Sequence, residues 1–540
     1  MNLVDQKRES PGTVHLVDID GDIHAKKLNI NVCNGIVLTP TPSADPNDPL
    51  NWSKSRKWLA TTCVLLFTWS ICVSSSACYS VFVPINAESG ISFDNLNEGT
   101  GYMYLLFGWG LLFWQPLALT YGRRGVYLSC LLGTCLMNVW AGYATTNETW
   151  IATRVLIGFF GAPSEALAEV SMTDLWFTHQ RGTYIGLYAM ALYGGQWGAV
   201  PAGFINDTMG WPWVLFFCAI LNGLAFLVCF FFMEETMYHR QVLPIQQINN
   251  EIEVAATPTA GEDNKSEKDQ STITRQLSQA VVESYLTKTY WQKLMPFTPL
   301  NGRRNTFLEM MYMPLRMFRF PSIVFAGFSY GCFLNWYAMV NAVNSAAFTA
   351  LPYNWTAANV GLSYIAEIVG TYFAGFIAGR LADRLSIRLA KSNNGVMEPE
   401  SRLWMFVSLA ILAPLGLIIY GVGAAQGWNY WALLIGMVAI GFVGPAAGSL
   451  TITYVVDSFH ELSGEGLIAV VLIRNTLNFG FNYGVTPWVD SMGMQNSFIT
   501  AGLVAFVTTL VFVPFIIWGK RMRMWGAPAY WRLVERSVAV

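Results

Sequence analysis

Charge is what this sequence has least of. Only 12% of its residues are Asp, Glu, Lys or Arg, about half the share of a soluble globular chain. That deficit excludes an ordinary water-facing surface, and a net charge of −2 supplies no basic field for nucleic acid. Histidine is scarce: His15, His24, His179, His239 and His460 all fall in polar tails or loops, so no apolar segment holds one for haem or di-iron ligation. The nine cysteines form no Cys-x-x-Cys pair, which argues against a zinc site and a disulfide framework. No Gly-x4-Gly-Lys-Ser/Thr loop is present to cradle a nucleotide. A membrane enzyme and a primary pump are therefore disfavoured, and no cofactor or metal is expected. The first fifty-six residues are polar, which predicts no cleaved leader.

What fills the chain is apolar: 53% hydrophobic residues, with 21 Trp and 34 Phe. Runs of about 20 such residues, enough to cross a bilayer, fall at 57–83, 99–121, 125–145, 151–174, 182–204 and 212–233. They resume at 322–346, 357–379, 403–424, 429–456, 466–488 and 496–518. The expected fold is an all-α membrane protein, with twelve transmembrane helices in two pseudo-symmetric six-helix halves. The divisions are a tail at 1–56, a bundle at 57–233, a central loop at 234–320, a second bundle at 321–518 and a tail at 519–540.

Orientation follows from charge. The loops on one side carry Arg123, Arg124, Arg181, Arg380, Arg384, Arg388, Lys391, Arg402 and the tail Lys520, Arg521 and Arg523. The central loop on that side adds ten Lys and Arg. The opposite loops carry acids only, such as Glu88, Asp94, Glu148, Asp207 and Asp490. By the positive-inside rule both termini are cytoplasmic, in a multi-pass protein of the cell membrane. Three Asn-x-Ser/Thr sequons, at Asn147, Asn206 and Asn354, reach the outer loops and are candidates for glycosylation; Asn51 and Asn264 fall inside and read as chance. The central loop begins polar and ends in NTFLEMMYMPLRMFRFP, an amphipathic segment expected to lie at the inner interface.

The halves repeat: Arg124 and Arg388 each close a basic loop after the second span of their half. Around these loops the sequence resembles the major facilitator superfamily, and within it the fungal drug:proton antiporter-like branch. The resemblance rests on DPNDPLNWSKSRKW before the first span, PLALTYGRRGVYL after the second, FFMEET after the sixth, MEPESRL before the ninth and RNTLNFGFNYGVTPW in the eleventh. The family's gate motif aligns with Gln115, Leu119, Thr120, Gly122, Arg123 and Arg124, so its acid is missing here. The second copy keeps Gly379, Asp383, Arg384 and Arg388. The resemblance implies a charge clamp, with Asp174 as partner for Arg123 or Arg124; the alternative is that these arginines are only positive-inside anchors. In the fourth span Arg154 and Gly158 match an Arg-x3-Gly pattern whose arginine the family uses in proton transfer. In the fifth, Gly194, Gly198 and Gly203 match part of the antiporter motif, which close helix packing would also explain.

Charges inside a bilayer cost at least about 2.5–3.5 kcal/mol each and are functional suspects. Those here are Arg154, Glu165, Glu169, Glu367 and Arg474. On a continuous helix, Arg154 and Glu165 would lie about 20° apart in azimuth, with Glu169 about 40° further round. Gln196, Asn335, Asn341, Asn475, Asn478 and Asn482 add hydrogen-bonding groups, and Trp197, Trp336 and Tyr337 add aromatic faces. Acids beside aromatics suit a cationic, partly apolar substrate. The alternative makes Glu169 and Glu367 structural, paired with Arg474 or with backbone groups. The expected function is secondary, proton-coupled transport by a monomer, its partners being the lipid, the proton and a small organic substrate. Export of drugs or secondary metabolites leads, and uptake of polyamine-like or other nutrient cations is the alternative. Glu165 is the expected proton carrier.

Overall fold

The protein is described from a computed structural model, which covers residues 47–237, 290–297, 307–392 and 396–538, plus two-residue strands at 14–15, 32–33 and 36–37. In chain order the helices of the first part are α1 (Lys54–Ser76), α2 (Phe82–Ser89), α3 (Phe93–Trp109), α4 (Leu111–Tyr121), α5 (Arg123–Ala141), α6 (Asn147–Gly161), α7 (Leu167–Leu175), α8 (Thr178–Tyr193), α9 (Ala199–Met209) and α10 (Trp211–Phe232). A short α11 (Tyr290–Lys293) and α12 (Phe307–Arg316) follow. Then come α13 (Pro321–Thr349), α14 (Ala357–Ser392), α15 (Phe406–Gln426), α16 (Tyr430–Ser458), α17 (Ser463–Thr509) and α18 (Phe512–Val538). The strand Val14–His15 pairs antiparallel with Val396–Met397.

Among the described residues, nine helical stretches are long and apolar enough to cross a membrane. The helices begin and end where side chains satisfy their free backbone groups. Ser53, Ser92 and Thr146 cap α1, α3 and α6 by accepting from Arg56, Asn95 and Thr149 N–H. Gly122, at φ 114°, makes the tight turn between α4 and α5, a conformation that a side chain would strain. Gly493, at φ 76°, turns the backbone inside α17.

The α1–α10 group and the α13–α18 group meet along two seams: α3 lies along α17, and α9 along α14. Small residues allow the close approach. A Cβ on Gly108 would stand 3.0 Å from the Asn475 Cβ, and one on Gly203 would stand 2.1 Å from the Ala357 carbonyl oxygen. At the acid-bearing end, Asn97 donates to Thr486 (2.9 Å), Ala358 N–H to the Asp207 carboxylate (3.1 Å), and Val83 N–H to the Ser345 hydroxyl (3.4 Å). At the basic end, the ion pairs among the described residues stay within one group: Arg56–Glu234, Arg123–Asp174, Arg402–Asp457, Lys520–Glu398 and Arg523–Glu400. The two groups are therefore tied at the acidic end and through the middle.

The amphipathic end of the central loop becomes α12, with Leu308 (64%) and Tyr312 (53%) exposed and Met313 and Pro314 buried. Residues 238–289 and 298–306 of that loop lie outside the described residues.

Candidate functional site

The fourth predicted span is not one helix. Pro163 and the short 3-10 turn Ala162–Ser164 end α6, and Ala166 (φ −139°, ψ −39°) leaves helical geometry before α7 begins. Glu165 sits in this break. Its backbone carbonyl accepts from the Tyr188 hydroxyl (2.9 Å), which also bonds the Ser164 carbonyl (2.9 Å). Broken helices at mid-membrane commonly carry the binding groups of carriers, because unwound backbone there is tolerated only beside protein or a cavity.

The carboxylate of Glu165 meets Arg474 of α17, Nη2 to Oε2, at 2.5 Å. The guanidinium lies over the Tyr330 ring (4.6 Å), and its Nε donates to Asn475 Oδ1 (3.1 Å). The Tyr330 and Tyr193 hydroxyls are hydrogen-bonded to one another across the two groups of helices. Around this pair lies a cavity lined by Tyr104, Gln196, Tyr337, Ser76 and Pro445, together with the residues just named, Asn475 excepted. Its free space of about 80 Å3 is well below the roughly 300 Å3 of the smallest usual ligand pockets. A drug-sized molecule does not fit it as it stands.

Several residues expected in the cavity stand elsewhere. Trp197 is 39% exposed and donates to the Tyr372 hydroxyl at 3.0 Å. The reason is that 194–198 forms a 3-10 turn, which changes the azimuth that helical spacing assigns. Asn335, Trp336 and Asn341 are buried in α13 but do not line the cavity; Asn335 Oδ1, Trp336 Nε1 and Asn341 Oδ1 have no partner among the described residues. Asn478 and Asn482 bond each other within α17, where Asn482 packs on Gly101. Gln196, Tyr337 and Arg474 do reach the cavity. Tyr104, Tyr193, Tyr330 and Ser76 also line it and were not foreseen. Tyrosines and serines inside apolar runs give no pattern that marks them out, whereas Gly444–Pro445 in the tenth span was a readable helix weakness.

The other intramembrane charges divide sharply. The expected stripe of Arg154 above Glu165 is not formed, because the break at 162–166 ends the helix that the azimuths assumed. Arg154 instead stacks on Trp150 (4.3 Å) and donates to the Cys78 sulfur (2.6 Å). Glu169 lies buried in the first turn of α7 with no hydrogen bond among the described residues. Glu367 of α14 is fully buried, and neither carboxylate oxygen has a hydrogen-bond partner among the described residues. The Tyr337 hydroxyl faces it without meeting hydrogen-bond geometry. Arg474, one of the two partners that the structural alternative named for these acids, pairs with Glu165 instead.

At the basic end, Arg123 pairs with Asp174 at 2.5 Å. Arg124 has a different role: its guanidinium donates to the carbonyls of Met233 (2.7 Å), Phe230 (2.5 Å) and Leu294, while Glu235 accepts from both arginines' backbone N–H groups (3.1 and 3.0 Å). In the second half Arg384 and Arg388 are exposed, without a partner among the described residues. The side chain of Asp383 and the surroundings of Gly379 lie outside what is described. The counterpart of Arg123–Asp174 is Arg402–Asp457 at 2.7 Å. Each pair joins a residue at the start of one predicted span to an acid at the end of the next, with separations of 51 and 55 residues. Of the three glycines matched in the fifth span, Gly198 and Gly203 sit at close approaches, where an added Cβ would stand 2.6 Å from the Val73 carbonyl oxygen and 2.1 Å from that of Ala357, whereas one on Gly194 would meet nothing nearer than 3.8 Å. Of the sequons, Asn354 has an exposed side chain in a turn, whereas Asn147 and Asn206 are partly buried residues of α6 and α9.

Apolar helices in two contacting groups around a cavity that holds a buried ion pair are the build of a membrane transporter. Residues 59–467 match the Major Facilitator Superfamily, and the chain belongs to that family. An MFS-type transporter of Schizosaccharomyces pombe is 30% identical, with 98% of this chain and 95% of the relative covered. Protein HOL1 of Saccharomyces cerevisiae is 26% identical, with 97% of each covered. Efflux pump vrtL of Penicillium aethiopicum is 25% identical, with 92% of this chain and 89% of the relative covered.

Proposed function

We propose that this transporter is a proton-coupled exporter of a small organic cation, working through the cavity that holds Glu165 and Arg474. The single observation behind this reading is the set of acids: Glu165 faces the cavity, while the buried Glu169 and Glu367 do not line it and have no counter-ion among the described residues. An isolated ionised carboxylate in such surroundings is so costly that it is met by taking up a proton. Glu367 and Glu169 then hold and release the proton, and Glu165 receives the substrate's positive charge. The ion pair with Arg474 is the reason for moving proton carriage away from Glu165.

Twelve crossings in two halves fit the nine apolar stretches. The stretch His460–Arg536 counts as two, divided at the Gly493 turn, and Arg123–Ala141 and Thr178–Met209 add two more. Arg123–Asp174 and Arg402–Asp457 act as paired clamps at the cytoplasmic ends, opening and closing as the halves rock. Export is favoured over uptake by relatives such as the efflux pump vrtL.

The test is flux of tetraphenylphosphonium and spermidine in proteoliposomes under an imposed pH gradient. Movement of either cation against its gradient, abolished by a protonophore, is the expected result. Flux indifferent to the pH gradient, or flux of organic anions alone, overturns it. Net movement in the same direction as protons makes the protein an importer instead. Cysteine labelling from each side of intact cells checks the orientation, with residues 234–320 and both termini expected inside.

A further inference from the structure

The two members of the cavity's ion pair come from different groups of helices, and they are held very differently. Arg474 has two partners on its own side, the Tyr330 ring and the Asn475 carbonyl, and only Nη2 crosses to Glu165. It keeps its seat if Glu165 is taken by something else. The Glu165 carboxylate has no other hydrogen bond among the described residues, and it stands in a helix break whose backbone is anchored by Tyr188. Among the cavity-lining residues these are the only two formal charges. The cavity is thus neutral as it stands, and a bare Glu165 would be an uncompensated charge at mid-membrane, a costly state.

We infer that Arg474 is an internal counter-ion that occupies Glu165 when the carrier is empty and that the substrate's cation displaces. The inference rests on the reading of the site as one for organic cations. It gives Arg474 two effects. It competes with the substrate, so the site selects cations able to outbid a guanidinium stacked on tyrosine. It also lets the empty carrier return with its carboxylate neutralised. The titratable groups facing Glu165 are Cys72, Tyr104, Tyr188, Tyr193 and Tyr330. None of them can bring a positive charge, so only a proton could take the place of Arg474.

The experiment compares net efflux with exchange in proteoliposomes, using tetraphenylphosphonium and spermidine as probes and the wild type, R474Q, R474K and E165Q/R474Q. In R474Q the loaded carrier still crosses but the empty one does not. Net efflux should fall at least tenfold while exchange falls no more than about threefold, and half-saturation should move to severalfold lower probe concentration. The loss should be deepest at alkaline pH, where no proton replaces the guanidinium. R474K should restore net efflux, and E165Q/R474Q should lose exchange as well. A merely structural arginine would lower both fluxes together in R474Q. That result, or net efflux equal to wild type, overturns the inference while leaving the cation reading standing. If neither probe binds or moves in the wild type, the cation reading fails and this inference with it.

Discussion

Glu165 and Glu367 are both mid-membrane acids, yet their surroundings are opposites. The Glu165 side chain is 10% exposed, faces the cavity and is paired with Arg474. Glu367 is 0% exposed, lies beside Tyr337 and has neither carboxylate oxygen hydrogen-bonded among the described residues. A paired charge is stable as a charge, and a solitary buried one is stable without it. One acid is therefore suited to bind a cation and the other to hold a proton.

The largest expected effect comes from removing the paired acid. Glu165→Gln leaves Arg474 uncompensated, which by precedent for broken buried pairs costs about 3–5 kcal/mol. Cation flux should fall at least a hundredfold at every pH, and a thermal-shift measurement should find the detergent-solubilised protein less stable. Flux within twofold of wild type would mean that Glu165 binds no substrate. Glu367→Gln should act the other way on stability, because it replaces an acid lacking partners with a neutral group of the same shape. The solubilised protein should be at least as stable as wild type, while gradient-driven flux falls about tenfold and its dependence on pH flattens. A steep pH profile surviving in Glu367→Gln would pass the proton to Glu169.

A smaller effect is expected at the basic end. Partly exposed ion pairs contribute about 1 kcal/mol or less each, so Arg123→Gln and Arg402→Gln should each lower flux by a few fold through the balance of states. Arg384→Gln and Arg388→Gln should change flux by less than twofold. Equal losses at all four positions would show these arginines to be anchors only, read out as surface abundance rather than turnover. The smallest effect belongs to Trp197→Ala, on the outer surface of its turn, with substrate affinity expected within twofold of wild type.

The two pairs at the basic end show where the sequence was legible and where it misled. The basic turn at Gly122–Arg124 and the acid Asp174 stood out because a motif and a charge pattern marked them, and the structure places Arg123 on Asp174. In the second half the same motif pointed to Arg384 and Arg388, but α14 runs on as helix to Ser392 and leaves both exposed. The equivalent pair was instead in plain sight as Arg402 in MEPESRL and Asp457.

The sequence by itself determined the solvent of this protein, its helical character and its family-level organisation. Apolar runs of bilayer length, a nearly charge-free middle and cationic loops of one side are properties of consecutive residues, and local hydropathy is enough to read them. It also picked out Glu165 and Arg474 as costly residues that needed a reason to be there. Only the tertiary structure decided that they meet, 309 residues apart in the chain, and that Glu367 has no such partner among the described residues. Azimuth on an ideal helix does not survive Pro163, Ala166 and the 3-10 turn at 194–198, and a contact between two halves depends on how they pack, which no single helix encodes.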